Sequence, residues 1–450
     1  MIEIAEWMRD HRIDEVECLI ADMSGVPRGK IIPAQKFLKL YQEQGLRIPE
    51  TIFMQTVTGD YADESAVFSE NSYDLMFLPD VKTMRLVPWY NQQVDAVAQV
   101  ICDTRYLSGK QVEFSPRFVL KRILSLYEEM GLRPVVAPEL EFYFLAKNIN
   151  PDLPIKAPIG QNGRRESGRQ AYGIDAANEF DPIIEDIYAF CEAANVDIDT
   201  MAHEAGPAQM EINFNHGDPL ELADMVLIFK RIVRQAAIKH NIYATFMSKP
   251  HQHQPGSAMH IHQSLLDVKT GENVFATKSG KDSRQFMYYI GGLQRYLPAA
   301  MALLAPNVNS FRRIARYSDA PINVHWGQDN RTVGLRVPNS GASSRRVENR
   351  VPGADCNPYL AMAATLACGY LGLQEKILPG KPVMGDAYRY AFGLPRHQAE
   401  ALHKLQYSKP LKEVLGELFV KAYIEVKNTE YDLYQQVISS WERENLLLNV

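Results

Sequence analysis

The sequence contains few cysteines and no long apolar run. Only five of its 450 residues are cysteine, and no two of them form a Cys-x-x-Cys pair. This scarcity argues against a disulfide framework and indicates a reducing compartment. The first residues lack both a basic region and an apolar core, so we expect no signal peptide and a cytoplasmic protein. The most apolar stretch, residues 359–373, is too short to span a bilayer and predicts a buried core helix rather than a membrane partner.

The chain also lacks an excess of basic charge. Its net charge is -6 at pH 7, which argues against a broad surface for nucleic acid. There is no Walker-type glycine-rich loop and no dinucleotide-binding fingerprint, so any nucleotide must be held in another way. The composition, 46% hydrophobic and 23% charged, is that of a globular protein long enough for two or three domains.

The order of apolar runs predicts an α+β protein of two domains. Residues 1–107 contain short strand-like runs and an acidic loop at 59–71, and loops of that length are often functional. A helix is predicted to start after Ser115 and to end at Gly131, and we place the domain boundary just before it. Residues 108–450 alternate strands that are polar on one face with amphipathic helices, which predicts an open, mostly antiparallel sheet backed by helices.

Two acids on one predicted strand are the first candidate metal ligands. Glu139 and Glu141 lie two residues apart within an apolar run, so their side chains point to the same face. Two adjacent carboxylates repel each other unless a cation lies between them, and Mg²⁺ or Mn²⁺ prefers such oxygen ligands. The alternative is a solvent-facing strand that carries two acids without a metal.

Two further stretches add candidate ligands. Glu204 and Glu211 flank a Gly-Pro turn in a predicted hairpin, which could bring both carboxylates to one ion. His260, His262 and Ser264 alternate with apolar residues and therefore line one face of a strand, and histidine is the commonest metal ligand. Each stretch also has an ordinary alternative, because acids flank many turns and many sheet faces are polar.

Arginines cluster late in the chain. Arg331 and Arg336 precede a run in which Arg346, Glu348 and Arg350 alternate and share a strand face. Guanidinium groups beside a carboxylate suit the recognition of a polyphosphate around a metal, although a surface ladder of ion pairs is the alternative.

The stretches are more informative together than separately. The acids and His260 supply enough ligands for two octahedral metals, and the arginines supply counter-charge for phosphates. The sequence thus predicts a two-metal, phosphate-handling site. Another arginine-rich run, residues 164–169, predicts a solvated loop outside this site.

At these residues the sequence resembles the glutamine synthetase superfamily over almost its whole length. The resemblance implies an N-terminal β-grasp domain and a C-terminal catalytic domain with a curved, mostly antiparallel sheet. It also implies a homododecamer of two stacked hexameric rings, in which each site forms between the C-terminal domain of one subunit and the N-terminal domain of its neighbour. The matching stretches are residues 138–142, 204–211, 256–265, 306–313, 330–336 and 346–360.

The resemblance further implies a role for each candidate residue. One Mg²⁺ or Mn²⁺ would be held by Glu141, Glu204 and Glu211, and a second by Glu139, His260 and Glu348. The implied substrate contacts are Gly256, Arg313 and Arg350 for glutamate, Arg331, Arg336 and Arg346 for the phosphates of ATP, and His262 and Ser264 for the rest of the nucleotide.

The sequence departs from glutamine synthetases where those enzymes bind ammonium with two acids. No acid stands before Asp60 in the comparable N-terminal stretch, and the second acid is the shorter Asp319. A cation site loses most of its binding when one of two carboxylates is missing, and a wider pocket would admit a longer amine. Pro255 replaces the usual asparagine beside the glutamate contacts. Residues 22–30 and 324–331 look like the γ-glutamylpolyamine synthetase branch.

The resemblance therefore implies an ATP-dependent ligase for polyamine catabolism. It would join the γ-carboxylate of glutamate, through γ-glutamyl phosphate, to putrescine, spermidine or spermine. Arg331 would be catalytic on the phosphate side, Asp319 is the candidate base for the amine, and Asp60 or Glu64 could bind the distal ammonium of a polyamine. The alternatives are a glutamine synthetase that uses ammonium, a ligase for another small amine, and a non-catalytic ring protein.

Overall fold

Two β-sheets from successive parts of the chain organise the structure. The computed structural model describes residues 2–62, 67–68, 72–90 and 96–450, so Glu64 lies outside the described residues. All five cysteines are buried free thiols. No helix within the described ranges has the length and apolar character needed to cross a membrane.

The first sheet comes from the N-terminal residues and has the strand order β2-β1-β6-β4-β3, with β5 paired to β6. Strands β1 and β6 are parallel, whereas the other pairs are antiparallel. The elements are α1 (Ile2–Asp10), β1 (Ile13–Ala21), β2 (Pro27–Pro33), α2 (Ala34–Gln42), β3 (Arg47–Pro49), β4 (Asp74–Pro79), β5 (Arg85–Leu86) and β6 (Ala96–Tyr106).

The predicted turn between β1 and β2 packs against the other part of the chain. Asp22 accepts hydrogen bonds from the backbone N–H groups of Ser24 and Val26, both at 2.9 Å. Gly25 has φ +79°, and a Cβ there would lie 3.0 Å from Asn357 Cα. The turn therefore needs glycine both for its backbone conformation and for its close approach to Asn357.

The second sheet has the strand order β12-β13-β14-β11-β7-β9-β8, with β10 paired to β7. All its pairs are antiparallel except β12 with β13, in agreement with the predicted mostly antiparallel sheet. The strands are β7 (Leu132–Ala146), β8 (Ile198–His203), β9 (Gln209–Phe214), β10 (Ile242–Thr245), β11 (Met259–Asp267), β12 (Trp326–Gln328), β13 (Leu335–Val337) and β14 (Val347–Asn349).

Helices pack on the second sheet and on each other. The predicted core helix is α8, whose residues from Pro358 to Leu373 are all buried. It crosses α7 where a Cβ on Gly292 would lie 2.5 Å from Gly372 Cα, so the two backbones approach closely only because both residues are glycine. The helices are α3 (Pro116–Glu129), α4 (Ile174–Asn178), α5 (Asp181–Ala193), α6 (Pro219–Lys239), α7 (Arg284–Leu304), α8 (Pro358–Glu375), α9 (Gln398–Tyr407), α10 (Lys409–Leu415), α11 (Glu417–Gln435) and α12 (Ser440–Asn445).

A buried ionic network joins the two parts of the chain. Arg117, in the first turn of α3, is 2% exposed and binds Asp224 of α6 through two hydrogen bonds of 3.0 and 2.8 Å. The same guanidinium binds Asp103 of β6 at 2.9 Å and Asp80 at 2.8 Å. Arg117 therefore links the first sheet to the helices that cover the second. The predicted boundary between residues 107 and 108 remains a prediction.

Candidate active site

Strand register brings the predicted ligands together on one face of the second sheet. Glu139 of β7 lies opposite His260 of β11, and Glu141 of β7 lies opposite Glu211 of β9. Glu348 of β14 lies opposite His262 of β11. Because directly opposed residues on antiparallel strands project to the same side, these pairs form one continuous polar surface.

Two groups of side chains have ligand atoms close enough to hold a metal ion. Glu139, His260 and Glu348 form one group, and Glu141, Glu211 and His260 form the other. Within each group the ligand atoms all lie within 4.8 Å of one another. The first group is the set predicted for one metal, whereas Glu204 of the other predicted set is not in either group.

His260 supports a cation at this position. It is 4% exposed, and neither ring nitrogen has a hydrogen-bond partner among the residues that the structure describes. Burial and the positive charge of Arg350 lower the pKa of His260 to about 4, so the ring is neutral at pH 7. A neutral, buried imidazole without a partner, surrounded by carboxylates, fits a ligand of a divalent metal.

Among the described residues, no lysine or arginine forms a direct ion pair with the carboxylates of the second group or with Glu204, although the charges of Arg313 and Arg350 act on Glu141. Burial and then the charge of Glu204 raise the pKa of Glu141 to about 8, and burial and then the charge of Glu141 raise that of Glu211 to about 9. Burial also raises the pKa of Glu204. The three acids repel each other when they are ionised, which is the electrostatic condition for a cation site.

The acids of the first group are already neutralised in part. Burial alone would raise the pKa of Glu139, but the imidazoles of His260 and His262 beside it lower that pKa far below its usual range. Burial likewise opposes ionisation of Glu348, but the charge of Arg350 lowers its pKa to about 2. Both side chains are therefore carboxylates at neutral pH and can bind a cation.

Arginines surround Glu348. Arg336 Nη1 donates to Glu348 Oε2 at 2.8 Å, and Arg350 Nη1 donates to Glu348 Oε1. Arg313 is 2% exposed and donates through Nη2 to the carbonyl of Val351. Two arginines of the predicted cluster, Arg336 and Arg350, thus bind one buried carboxylate.

Most of these groups line a cavity of about 790 Å³, although the fully buried Glu348 does not. The exposed side chain of Asp319 also lines it. Gly256 lines the cavity as well. No side chain fits at this position, because a Cβ would lie 2.4 Å from Arg313 Cγ. The predicted residues on its surface are Glu139, Glu141, Glu204, Glu211, Gly256, His260, Arg313, Asp319, Arg331, Arg336 and Arg350.

Asp60 is not placed in this cavity. No described lining residue precedes Glu139 in the sequence. Asp60 instead accepts a hydrogen bond from Thr58 Oγ1 at 2.7 Å and is exposed. Asp60 can therefore reach the cavity only from another copy of the chain or after a rearrangement of its loop.

A second cavity, of about 530 Å³, adjoins the first and shares Glu139 and Asn213 with it. His262, Ser264 and Arg346, the predicted nucleotide contacts, line this second cavity. Arg346 Nε donates to His262 Nδ1 at 3.2 Å, and His262 Nε2 donates to Glu139 Oε1 at 2.9 Å. This chain of bonds fixes the orientation of the imidazole at the junction of the two cavities.

Several lining residues were missed in the sequence, among them Arg169, Tyr172 and Tyr388. Arg169 ends the run predicted to be a solvated loop, Tyr172 follows three residues later, and Tyr388 follows β14 and α8 in the chain. The loop is held against the site because the N–H of Tyr172 donates to the carbonyl of His203 at 2.8 Å. Glu166 in the same loop also bonds to His203 Nε2, at 3.0 Å. No local pattern signals this contact, because it joins segments about 35 residues apart.

Comparison with known proteins places the chain in a family. Residues 113–446 match the family model "Glutamine synthetase, catalytic domain". The chain is 35% identical over 440 residues to γ-glutamylputrescine synthetase PuuA of Escherichia coli (strain K12), covering 96% of this chain and 92% of that protein. It is 31% identical over 455 residues to a glutamate–isopropylamine ligase of Pseudomonas sp, with 98% and 96% covered.

The chain is also similar to a glutamine synthetase and to a solved structure. The glutamine synthetase of Pyrococcus abyssi (strain GE5 / Orsay) is 33% identical over 434 residues, covering 94% of this chain and 92% of that protein. The solved structure of GmaS with ADP superposes with a TM-score of 0.84 at 25% identity, covering 99% of this chain and all of that one. The match to the family model and the extent of these similarities show that the chain belongs to the glutamine synthetase family of ATP-dependent ligases.

Proposed function

We propose that this protein joins the γ-carboxylate of glutamate to an amine with cleavage of ATP, and that its preferred acceptors are polyamines such as putrescine, spermidine or spermine. It would serve polyamine catabolism in the cytoplasm. One observation carries the proposal: a single cavity combines acids that repel each other, a buried arginine pair and an exposed aspartate. The similarity to γ-glutamylputrescine synthetase supports the choice of acceptor.

We assign two divalent ions, Mg²⁺ or Mn²⁺, to this site. Glu139, His260 and Glu348 would hold one, and Glu141 and Glu211, with Glu204 from the same cavity, would hold the other. When bound, such ions neutralise and polarise the phosphate oxygens of ATP. The fit rests on the buried imidazole without a partner and on the raised pKa values of Glu141 and Glu211.

The arrangement of the two cavities suggests how ATP and glutamate meet. A nucleotide held by His262, Ser264 and Arg346 in the second cavity would extend its phosphates past Glu139 into the first. There Arg331 and Arg336 would contact the phosphates.

Glutamate would lie in the first cavity against Gly256, Arg313 and Arg350. Held by the two arginines, it would direct its γ-carboxylate at the terminal phosphorus. That attack would release ADP and form γ-glutamyl phosphate, whose acyl carbon the amine would then attack as phosphate leaves.

The amine must lose a proton before it can attack. An alkylammonium has a pKa of about 10, so a base has to accept the proton at neutral pH. Asp319 is our candidate because it is exposed, carries a carboxylate and lines the cavity. The cavity, at about 790 Å³, has far more room than ammonium needs, and the rings of Tyr172 and Tyr388 can contact the methylene groups of a longer amine.

We further propose the assembly and domain roles implied by the family. Residues 1–107 would form a β-grasp domain and residues 108–450 the catalytic domain, in a homododecamer of two stacked hexamers. Since no described cavity residue precedes Glu139, Asp60 and Glu64 would act from a neighbouring subunit and bind the distal ammonium of a polyamine.

The test is phosphate release from ATP with Mg²⁺ and glutamate. Ammonium, putrescine, spermidine, spermine and simple monoamines such as isopropylamine are compared by kcat/KM. Higher kcat/KM with a polyamine than with ammonium supports the proposal. A preference for isopropylamine would favour the second candidate, a monoamine ligase, which the similarity to glutamate–isopropylamine ligase supports. Efficient turnover of low ammonium would make the protein a glutamine synthetase.

Paired variants test the base. Asp319→Asn should lower kcat with the preferred amine by roughly 10²–10⁴-fold, the usual contribution of a positioned general base. Asp60→Asn should instead raise the KM for a diamine and leave turnover of a monoamine unchanged. Equal effects of the two substitutions on both amines would contradict these separate roles.

A further inference from the structure

Asp355 connects two segments that carry predicted glutamate contacts. It lies in the loop between Arg350 and α8. Its Oδ1 accepts from Ser248 Oγ at 2.5 Å, and its Oδ2 accepts from Ser310 Oγ at 2.6 Å and from Asn307 Nδ2 at 2.9 Å. Asn307 caps the 3₁₀ helix Val308–Arg313, and Ser310 lies within it. One carboxylate thus ties the loop that follows Arg350 to the short helix that ends in Arg313.

The loop around Asp355 is itself fixed. The buried Lys230 of α6 donates through Nζ to the carbonyls of Ala354, at 2.7 Å, and Cys356, at 3.0 Å, on either side of Asp355. The N–H of Gly353 donates to the carbonyl of Leu304 at 2.9 Å. Asp355 is therefore an anchor, held by α6 and α7, for the end of the 3₁₀ helix that carries Asn307 and Ser310. Asn309 also ties this helix to the backbone of Lys249, through bonds of 2.8 and 2.9 Å.

Asp355 holds the 3₁₀ helix at Ser310, three residues before Arg313. In a 3₁₀ helix, side chains three residues apart lie above one another, so holding Ser310 also holds the base of the Arg313 side chain. Arg313 is 2% exposed, its Nε has no hydrogen-bond partner among the described residues, and its Nη2 donates to the carbonyl of Val351, in the segment that follows Arg350. Asp355 does not line the active-site cavity; it lines a separate cavity of about 690 Å³ together with Asn307. It therefore cannot touch a substrate in the active site and must act through other residues.

We propose that Asp355 is a positioning residue that sets the spacing between Arg313 and Arg350, and thereby the length of the dicarboxylic acid that the site accepts. The inference rests on the proposed function, in which these arginines grip the two carboxylates of glutamate. Guanidinium groups bind carboxylates with a fixed planar geometry, so a matched spacing selects a matched acid.

The experiment compares Asp355→Asn with the wild-type enzyme in steady-state kinetics. The amide keeps the size of the side chain but turns one acceptor into a donor, which faces either Ser248 or the pair Ser310 and Asn307. Glutamate, aspartate and 2-aminoadipate are tested as acids, with the KM for ATP measured in parallel. We expect the KM for glutamate to rise about tenfold or more, as an error of about 1 Å in substrate position can produce. We also expect the KM for ATP to be unchanged and the preference for glutamate over the other two acids to narrow.

Ser283→Ala is the matched control. It removes the N-cap of α7, a 21-residue helix. Ser283 thus lies about 30 Å from the other end of that helix, which is near Asn307. If Asp355 had a merely structural role, Asp355→Asn and Ser283→Ala would both raise the KM for glutamate and the KM for ATP together, or the preference for glutamate over the other two acids would stay intact. Either result overturns the inference.

Two further variants keep the test decisive if Asp355→Asn does not fold. Asn307→Ala and Ser310→Ala each remove one of the three bonds to Asp355. Each should raise the KM for glutamate by less than Asp355→Asn does, and each should leave the KM for ATP unchanged. Wild-type values in both would refute the positioning role. A wild-type enzyme inactive with glutamate and every amine would refute the proposed function and the inference with it. That result differs from an active wild type whose Asp355→Asn variant has unchanged KM values and acid preference, which would refute the inference alone.

Discussion

Glu211→Gln tests the physical basis of the metal assignment. Burial and the charge of Glu141 raise the pKa of Glu211 to about 9, whereas a glutamate in the unfolded chain has an ordinary pKa. Without a metal, the folded protein at neutral pH therefore binds a proton that the unfolded chain has released. The stabilisation of the folded protein by such a group is fully present below the pKa that the group has in the unfolded chain. It is lost as the pH rises through the pKa that the group has in the folded protein.

The magnitude follows from this linkage. The metal-free wild type should lose up to about 1.4 kcal/mol of stability per pH unit for each such carboxylate between its unfolded and folded pKa. A divalent ion that replaces the proton at 100 times its Kd restores about 2.7 kcal/mol. With about 2.1 cal/mol/K of unfolding entropy per residue, a 450-residue chain that unfolds in one transition gains about 3 °C in Tm.

The assay is thermal unfolding between pH 6 and pH 9, in EDTA and with saturating Mg²⁺. We expect the Tm of the wild type in EDTA to fall as the pH rises, and the gain from Mg²⁺ to be larger at pH 8 than at pH 6. Glu211→Gln should flatten the pH dependence and lose at least half of the gain from Mg²⁺. Glu185→Gln, on an exposed position of α5, is the control and should match the wild type. A Glu211→Gln protein with the pH slope and Mg²⁺ response of the wild type would refute the reasoning.

Three other substitutions test the surroundings of the site. Gly256→Ala places a Cβ 2.4 Å from Arg313 Cγ. It should lower kcat/KM for glutamate at least about tenfold with little effect on the KM for ATP; equal effects on both would contradict the contact. Arg117→Met leaves Asp224 and two other carboxylates without their shared partner and should cost about 3–5 kcal/mol in urea unfolding; a cost near zero would show that the network is not stabilising. Lys230→Met leaves two buried carbonyls unpaired and should lower the unfolding midpoint by the equivalent of about 2 kcal/mol, and an unchanged midpoint would contradict that account.

Local sequence patterns predict several elements of residues 108–450. The spacing of apolar residues predicts helices at 181–193 and 220–240, and these are α5 (Asp181–Ala193) and α6 (Pro219–Lys239). Both predictions succeed because an apolar stripe with the helical period is visible in the sequence alone. The run 333–337 predicts a strand, but β13 begins only at Leu335, where β12 and β14 are available as partners. Strand ends depend on pairing and so were predicted less well than helices.

The sequence by itself determined which residue types are available and which of them share a strand face. The alternation around Glu139 and around His260 has the period of a strand, so these faces needed no tertiary information. Only the tertiary structure decided which faces meet. Register sets Glu139 against His260 and Glu141 against Glu211, and it brings His260 within reach of both metal groups.

Long-range packing also decided what no local pattern showed. Contacts with His203 bring Arg169 and Tyr172 into the cavity, although their loop looks like a solvated one in the sequence. The same packing leaves Asp60 outside the cavity of its own chain. The physical reason is that side-chain direction follows from the backbone period of a single segment. The meeting of two segments instead depends on the burial and hydrogen bonds of all the segments between them.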